Sequence, residues 1–136
     1  MSGLLRSTVT VYNRWFNPAT KQDEFHRKVL TKAHWMDVDG VSLDGKGVAG
    51  SSVAEVLIDG SLSEYVTPNI YYGLSKAAAQ LVWTLSPADI ICKGNVSLTI
   101  SKPTDLKHLD NVRTIVSASY VDQGLRKQSH HEVIAR

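Results

Sequence analysis

The chain has one cysteine, four prolines and no run of apolar residues long enough to cross a membrane as a helix. With only Cys92, an internal disulfide is impossible, and its apolar setting in "DIICKG" makes it a small hydrophobe rather than a nucleophile. The N-terminal "MSGLLRSTVTVYNRW" has no apolar signal core, so the expectation is a protein kept in a reducing cytoplasm. Like charges form no block, and the formal net charge of the 136 residues is only +2. Composition therefore gives no reason to expect nucleic-acid binding. No internal repeat, low-complexity tract or linker divides the chain, which reads as one domain over residues 1–136.

Hydrophobic residues make up 43% and charged residues 21%, an ordinary balance for a folded domain. Most of the chain carries strand signals. "STVTVYNRW" alternates, with Val9, Val11 and Asn13 on one face and Thr8, Thr10 and Tyr12 on the other. A turn containing Asn17-Pro18 leads to "EFHRKVLTKAHWMDV", and "SSVAEVLIDG" follows as a third strand closed at Asp59-Gly60. "VWTL", "DIICKG", "NVSLTIS", "NVRTIVSASYVD" and "QSHHEVIAR" read as further strands, and "PTDLKHLD" as one helical turn. Thr67-Pro68 starts a helix that Gly73 interrupts, with Ile70, Leu74, Ala77 or Ala78, and Leu81 at helical spacing. Seven or eight strands with one or two short helices predict a mainly β fold, a small β-barrel or sandwich.

Between the second and third strands lies a glycine-rich loop, residues 39–52. Gly40, Gly45 and Lys46 come close to a phosphate-binding loop, and the likeness fails chemically. Gly47 stands where a hydroxyl would hold magnesium. Asp44 puts negative charge where phosphates would lie. The segment that follows reads as a strand, so no helix N-terminus faces the anion. "SHHEV" hints at metal, yet on a strand His130 and Glu132 share a face while His131 points away, and two ligands are too few for zinc. No G-x-S-x-G elbow occurs, and the aromatic residues are not interleaved with lysine and arginine. The residues predict neither a catalytic constellation nor a cofactor.

The order of segments carries a further signal. "TVTVYNRW", "KVLTKAHWMD", "VAEVLI", "YVTP", "WTLSPADIICKG", "VRTIVSASYVDQG" and "HHEV" follow one another along most of the chain. In this the sequence resembles the small head–tail connector proteins of tailed phages and prophages, the head-completion or stopper group. The resemblance implies a β-barrel that acts without catalysis, as a six-fold or twelve-fold ring in the neck of the virion. It would be assembled in the host cytoplasm between a portal or adaptor protein and a tail terminator or tail tube protein. Double-stranded DNA would pass through the lumen without sequence specificity.

On that reading Asp39, Gly40, Asp44, Gly45, Lys46, Gly47 and Gly50 form a channel or docking loop, near neutral so that DNA slides rather than sticks. Trp15, Trp35, His130, His131 and Glu132 are the candidate interface residues, and the strands "STVTVYNRW" and "HHEVIAR" are candidate edges for pairing with neighbours. The alternatives are another connector component, adaptor or tail terminator, or a small barrel that binds a ligand or single-stranded nucleic acid.

Overall fold

The computed structural model describes residues 6–38, 53–122 and 129–136. The channel-loop positions between Asp39 and Gly50 lie outside them, as does the turn expected around Gly124. The strands are β1 (Ser7–Asn17), β2 (Gln22–Val38), β3 (Val53–Asp59), β4 (Ile90–Lys93), β5 (Val112–Val121) and β6 (His130–Ala135). Two short helices, α1 (Pro68–Tyr72) and α2 (Lys76–Ala79), lie between β3 and β4. All neighbouring strands are antiparallel and close a barrel in the order β1-β2-β3-β6-β5-β4.

The fold is mainly β, as the alternation predicts, and closure decides between barrel and sandwich. The described residues form six strands rather than seven or eight. "VWTL" makes only a parallel bridge between Tyr65 and Trp83. "NVSLTIS" has no ladder partner either. Its hydrogen bonds go to side chains of β1 and β2: the Tyr12 hydroxyl donates to the Leu98 carbonyl at 2.6 Å, the Val96 N–H donates to Thr10 Oγ1 at 2.9 Å, and Arg27 donates to the Val96 carbonyl and to Asn95 Oδ1. Backbone groups satisfied in this way need no neighbouring strand. The turn expected in "PTDLKHLD" is present, as a 3₁₀ helix over Pro103–Leu106.

Closure also corrects the edge assignment. β1 pairs with both β2 and β4 over Val9–Tyr12, and β6 with both β3 and β5, so neither of these stretches is a barrel edge, whereas Asn13–Asn17 of β1 pairs only with β2. β1 is covered on both faces. Val9 and Val11 point into the barrel with Val56, Ile58, Trp83, Ile91 and Val133, all fully buried. Tyr12 points outward beneath residues 94–111, where it packs with Ile90, Cys92, Ile100 and Leu106. Each such aliphatic side chain contributes about 1.5–3 kcal/mol on leaving water. The barrel is filled by its own side chains.

A buried polar joint closes the wall where β4 ends. Asn13 Nδ2 donates to the Thr84 carbonyl at 2.7 Å and to Asp89 Oδ2 at 2.8 Å, while Asn13 Oδ1 accepts from the Thr84 N–H at 3.1 Å. Asp89 also accepts from the backbone N–H groups of Arg14 and Ser86. This joint is what the "SPAD" turn does: it ties the β4 entry to the middle of β1.

Candidate functional site

Beyond the end of β4, β1 and β2 continue as a hairpin arm, and the α1–α2 segment packs against it. The turn at the arm's tip is held by Asn17, whose Oδ1 accepts from the Ala19 N–H at 2.9 Å and whose Nδ2 donates to Glu24 Oε2 at 2.8 Å. Lys21 adopts a left-handed φ of 59°, closed by its N–H donating to the Asn17 carbonyl. Trp15 is the inner anchor of the arm. It packs with Tyr71 and Ala79, stacks on the His26 ring at 5.5 Å, and donates its indole N–H to the Leu74 carbonyl at 3.2 Å.

A chain of polar contacts runs beside Trp15. His26 Nε2 lies 3.0 Å from Glu24 Oε1, and His26 Nδ1 lies 3.0 Å from the Tyr71 hydroxyl. A carboxylate only accepts, so Nε2 carries a proton and donates it, and in the neutral ring Nδ1 accepts from Tyr71. Lys76 Nζ completes the set, 3.3 Å from Glu24 Oε2. The bond from His26, followed by that from Asn17, pulls the Glu24 carboxyl down to about 2. Burial pushes the Tyr71 hydroxyl far above its usual range.

Tyrosine, histidine and glutamate in line is a proton-relay geometry, yet Tyr71 is fully buried and no substrate can reach its hydroxyl. What the relay does is hold α1 against the arm. Bonds to ionised groups are the strong class, so this brace is stiffer than the short helices could be alone.

Around the brace the surface is apolar and open. A groove of about 560 Å³ runs between the arm and the helices, lined by Trp15, Phe16, Pro18, Tyr72, Leu74 and Lys76. Phe16 is 54% exposed, Tyr72 43%, Ile70 56% and Leu81 68%. Ile70 and Leu81 are the positions the helical periodicity assigns to a buried stripe. The segment instead turns Tyr71 and Ala79 inward, one from each of two short helices that part after Gly73. Thr67 precedes α1 as expected, but its hydroxyl makes no cap bond, whereas Ser75 caps α2 by accepting from the Ala78 N–H at 3.3 Å. On the other side of Lys76 lies a polar hollow of about 480 Å³, lined by Gln22, Glu24, His26, Arg27 and Ser101 among others.

The interface residues expected from sequence fall elsewhere. Trp15, Trp35 and His131 are buried at 4%, 7% and 2% exposure, so their side chains serve the protomer's interior and offer no outer anchor. Trp35 donates its indole N–H to Asp37 at 2.8 Å near one barrel end. His131 sits at the other end among Tyr65, Trp83 and Tyr120, with ring centroids 4.3–5.5 Å away. Burial, assisted by His130, lowers its pKa to about 4. His130 and Glu132 share a face of β6, with Nε2 and Oε1 3.9 Å apart. Among the described residues, no group of three or more His, Cys, Asp and Glu could hold a metal ion.

Sequence reasoning missed Phe16, Glu24, His26 and Lys76, and it read Tyr71 and Tyr72 only as core or interface anchors without separating the buried one from the exposed one. The one local signal was the adjacency of Trp15 and Phe16, which on a strand puts the two rings on opposite faces.

The model of a family of unknown function, DUF6751, matches residues 4–136, and the chain belongs to that family. No curated protein and no solved structure matches it.

Proposed function

We propose that the chain is a structural subunit of the neck of a tailed phage or prophage particle, a head–tail connector of the stopper or head-completion group. It works as a ring and without catalysis. The observation that carries the reading is the braced apolar rim. Phe16 and Tyr72 leave large apolar side chains partly in water along one groove, held in shape by Trp15, His26 and Tyr71, and Ile70 and Leu81 are exposed on the neighbouring helical segment. A patch of this kind, fixed in place by buried bonds, suits a lasting protein contact better than a passing one.

Two further features support it. The order of segments resembles that of the connector group, and the described barrel core is packed with its own side chains, Val9, Val11, Val56, Ile58 and Val133 among them. In a ring the rim of one subunit meets a different surface of the next, the heterologous contact that cyclic assemblies use.

Mass photometry of the purified chain, alone and mixed with a portal complex from the same genome, tests this. The reading predicts ring-sized species or stoichiometric decoration of the portal. A monomer that ignores the portal and retards single-stranded oligonucleotides in a salt-sensitive way would replace it with the nucleic-acid-binding alternative.

A further inference from the structure

The hairpin arm leaves one edge of β2 without a neighbour. β2 pairs with β1 from Gln22 to Ala33, but β3 joins its other edge only at Ala33. Between Gln22 and Lys28 the peptide groups on that side have, among the described residues, no strand to bond to. The polar hollow of about 480 Å³ opens along this stretch, with Lys76 and Gln80 on its helical side and Thr99, Ile100 and Ser101 opposite. The edge is the floor of a slot.

Charge on an open edge ordinarily keeps other strands away. Here the signs are ordered: Asp23 and Glu24 precede Phe25, and His26 and Arg27 follow it. Turned half-way round at Phe25, the strand meets itself with Asp23 opposite Arg27 and Glu24 opposite His26. Alternation sorts these pairs onto two faces. Phe25 packs against the Tyr12 cluster and Arg27 donates to the Val96 carbonyl, so Asp23, Phe25 and Arg27 face residues 94–111. Glu24 and His26 face the helices, where they meet Lys76 and Tyr71. A shift of two residues, the smallest that keeps the faces aligned, loses the match. It sets Glu24 opposite Glu24 in one direction and His26 opposite His26 in the other.

The outer pair is also unspent within the protomer. Asp23 and Arg27 are exposed, and among the described residues neither forms an ion pair, whereas Glu24 is engaged by Lys76 and Lys28 by Glu64. A second copy supplies each of them with the opposite charge at the opposing position.

We infer that the edge Asp23–Arg27 of β2 pairs with the same edge of a second copy, antiparallel about a two-fold axis at Phe25. Each strand lies in the other's hollow, and two Asp23–Arg27 pairs flank a Phe25–Phe25 contact on one face. Backbone bonds and Phe25 hold the copies together. The charges choose the partner, since exposed ion pairs add little affinity while a mismatched chain brings like charges together. A contact of five residues on each strand is small, so the dimer is weak, with a Kd on the order of 100 µM. Being isologous, it is separate from the heterologous rim contact of the ring reading and does not rest on it.

The test is sedimentation equilibrium of the full chain over about a hundredfold range of concentration centred on that Kd. It is repeated with Phe16→Ser/Tyr72→Ser, so that rim contacts do not enter. The expected result is a monomer–dimer equilibrium, weakened at least tenfold in Asp23→Arg and in Arg27→Asp measured separately. Mixed one to one, those two variants should recover a dimer, because each then meets the opposite charge. In the wild type, exchange of the amides within Asp23–Arg27 should slow as concentration rises. A chain that stays monomeric throughout overturns the inference. So do charge reversals that leave the equilibrium unchanged, or a mixture that associates no more tightly than its components. Should Arg27→Asp fail to fold, Asp23→Arg and the wild-type exchange pattern still decide the matter.

Discussion

The Tyr71 hydroxyl and His26 Nδ1 meet at 3.0 Å although 45 positions separate them in the chain. That contact joins the helical segment to the hairpin arm, and the arm carries Phe16 into solvent beside Tyr72. Removing the hydroxyl leaves His26 Nδ1 short of a partner in a mostly buried setting. Tyr71→Phe should therefore cost about 1–2 kcal/mol, a fall in Tm of roughly 3–6 °C for a domain of this size. Thermal unfolding followed by circular dichroism measures it; an unchanged Tm would mean that the contact contributes nothing to the rim.

Two buried groups give stability opposite slopes with pH. Burial raises Asp89 from 3.8 to about 6, only partly offset by the Arg14 N–H, the Asn13 amide and the Ser86 N–H. Its contribution is complete below 3.8 and lost as pH rises through 6. Burial lowers His131 from 6.5 to about 4, with His130 adding and Asp59 opposing. Its contribution is complete above 6.5 and lost as pH falls through 4. Between pH 4 and 6 the two slopes oppose each other. His131→Phe removes one slope, so relative to the wild type the variant should gain on the order of 2 kcal/mol on going from pH 7 to pH 4.5. Urea unfolding at both pH values checks this, and parallel wild-type and variant curves would contradict it.

Gly60 is held by a close approach. A Cβ there would lie 2.6 Å from the Ser129 carbonyl oxygen and 3.0 Å from a Tyr120 ring carbon, while the Gly60 N–H donates to that same carbonyl. Gly60→Ala must push β3 and β6 apart, at about 1–3 kcal/mol. Chemical denaturation should show a lower midpoint with an unchanged m-value.

Phe16 and Tyr72 present the opposite case, since about half of each side chain lies in water. Phe16→Ser with Tyr72→Ser should shift stability by no more than about 0.5 kcal/mol for each. Assembly should be lost all the same, read as failure of ring-sized species or portal decoration under conditions where the wild type forms them. A large fall in Tm would mean that the rim serves folding rather than docking.

How much of this was legible in the sequence follows from the range of the signal. The alternation of Val9 and Val11, the Asp59-Gly60 stop and the Thr67-Pro68 start depend on neighbours in the chain, and each appears where pattern places it. "NVSLTIS" shows the limit: Val96, Leu98 and Ile100 alternate, yet only Ile100 is buried, because Thr10 and Tyr12 supply the bonds a partner strand would have made. The brace was illegible for a related reason. Glu24, His26, Tyr71 and Lys76 are ordinary polar residues until barrel closure brings the arm to the helices. Trp15 and Trp35 show the converse, since a tryptophan reads alike as core or as interface anchor.

Cryo-electron microscopy of an assembled particle from a genome encoding this chain tests the central claim most directly. The account predicts the chain as a closed ring on the tail axis, with Phe16 and Tyr72 of each subunit buried against a neighbour. Particles complete without it, or a ring in which that rim faces solvent throughout, would contradict the account.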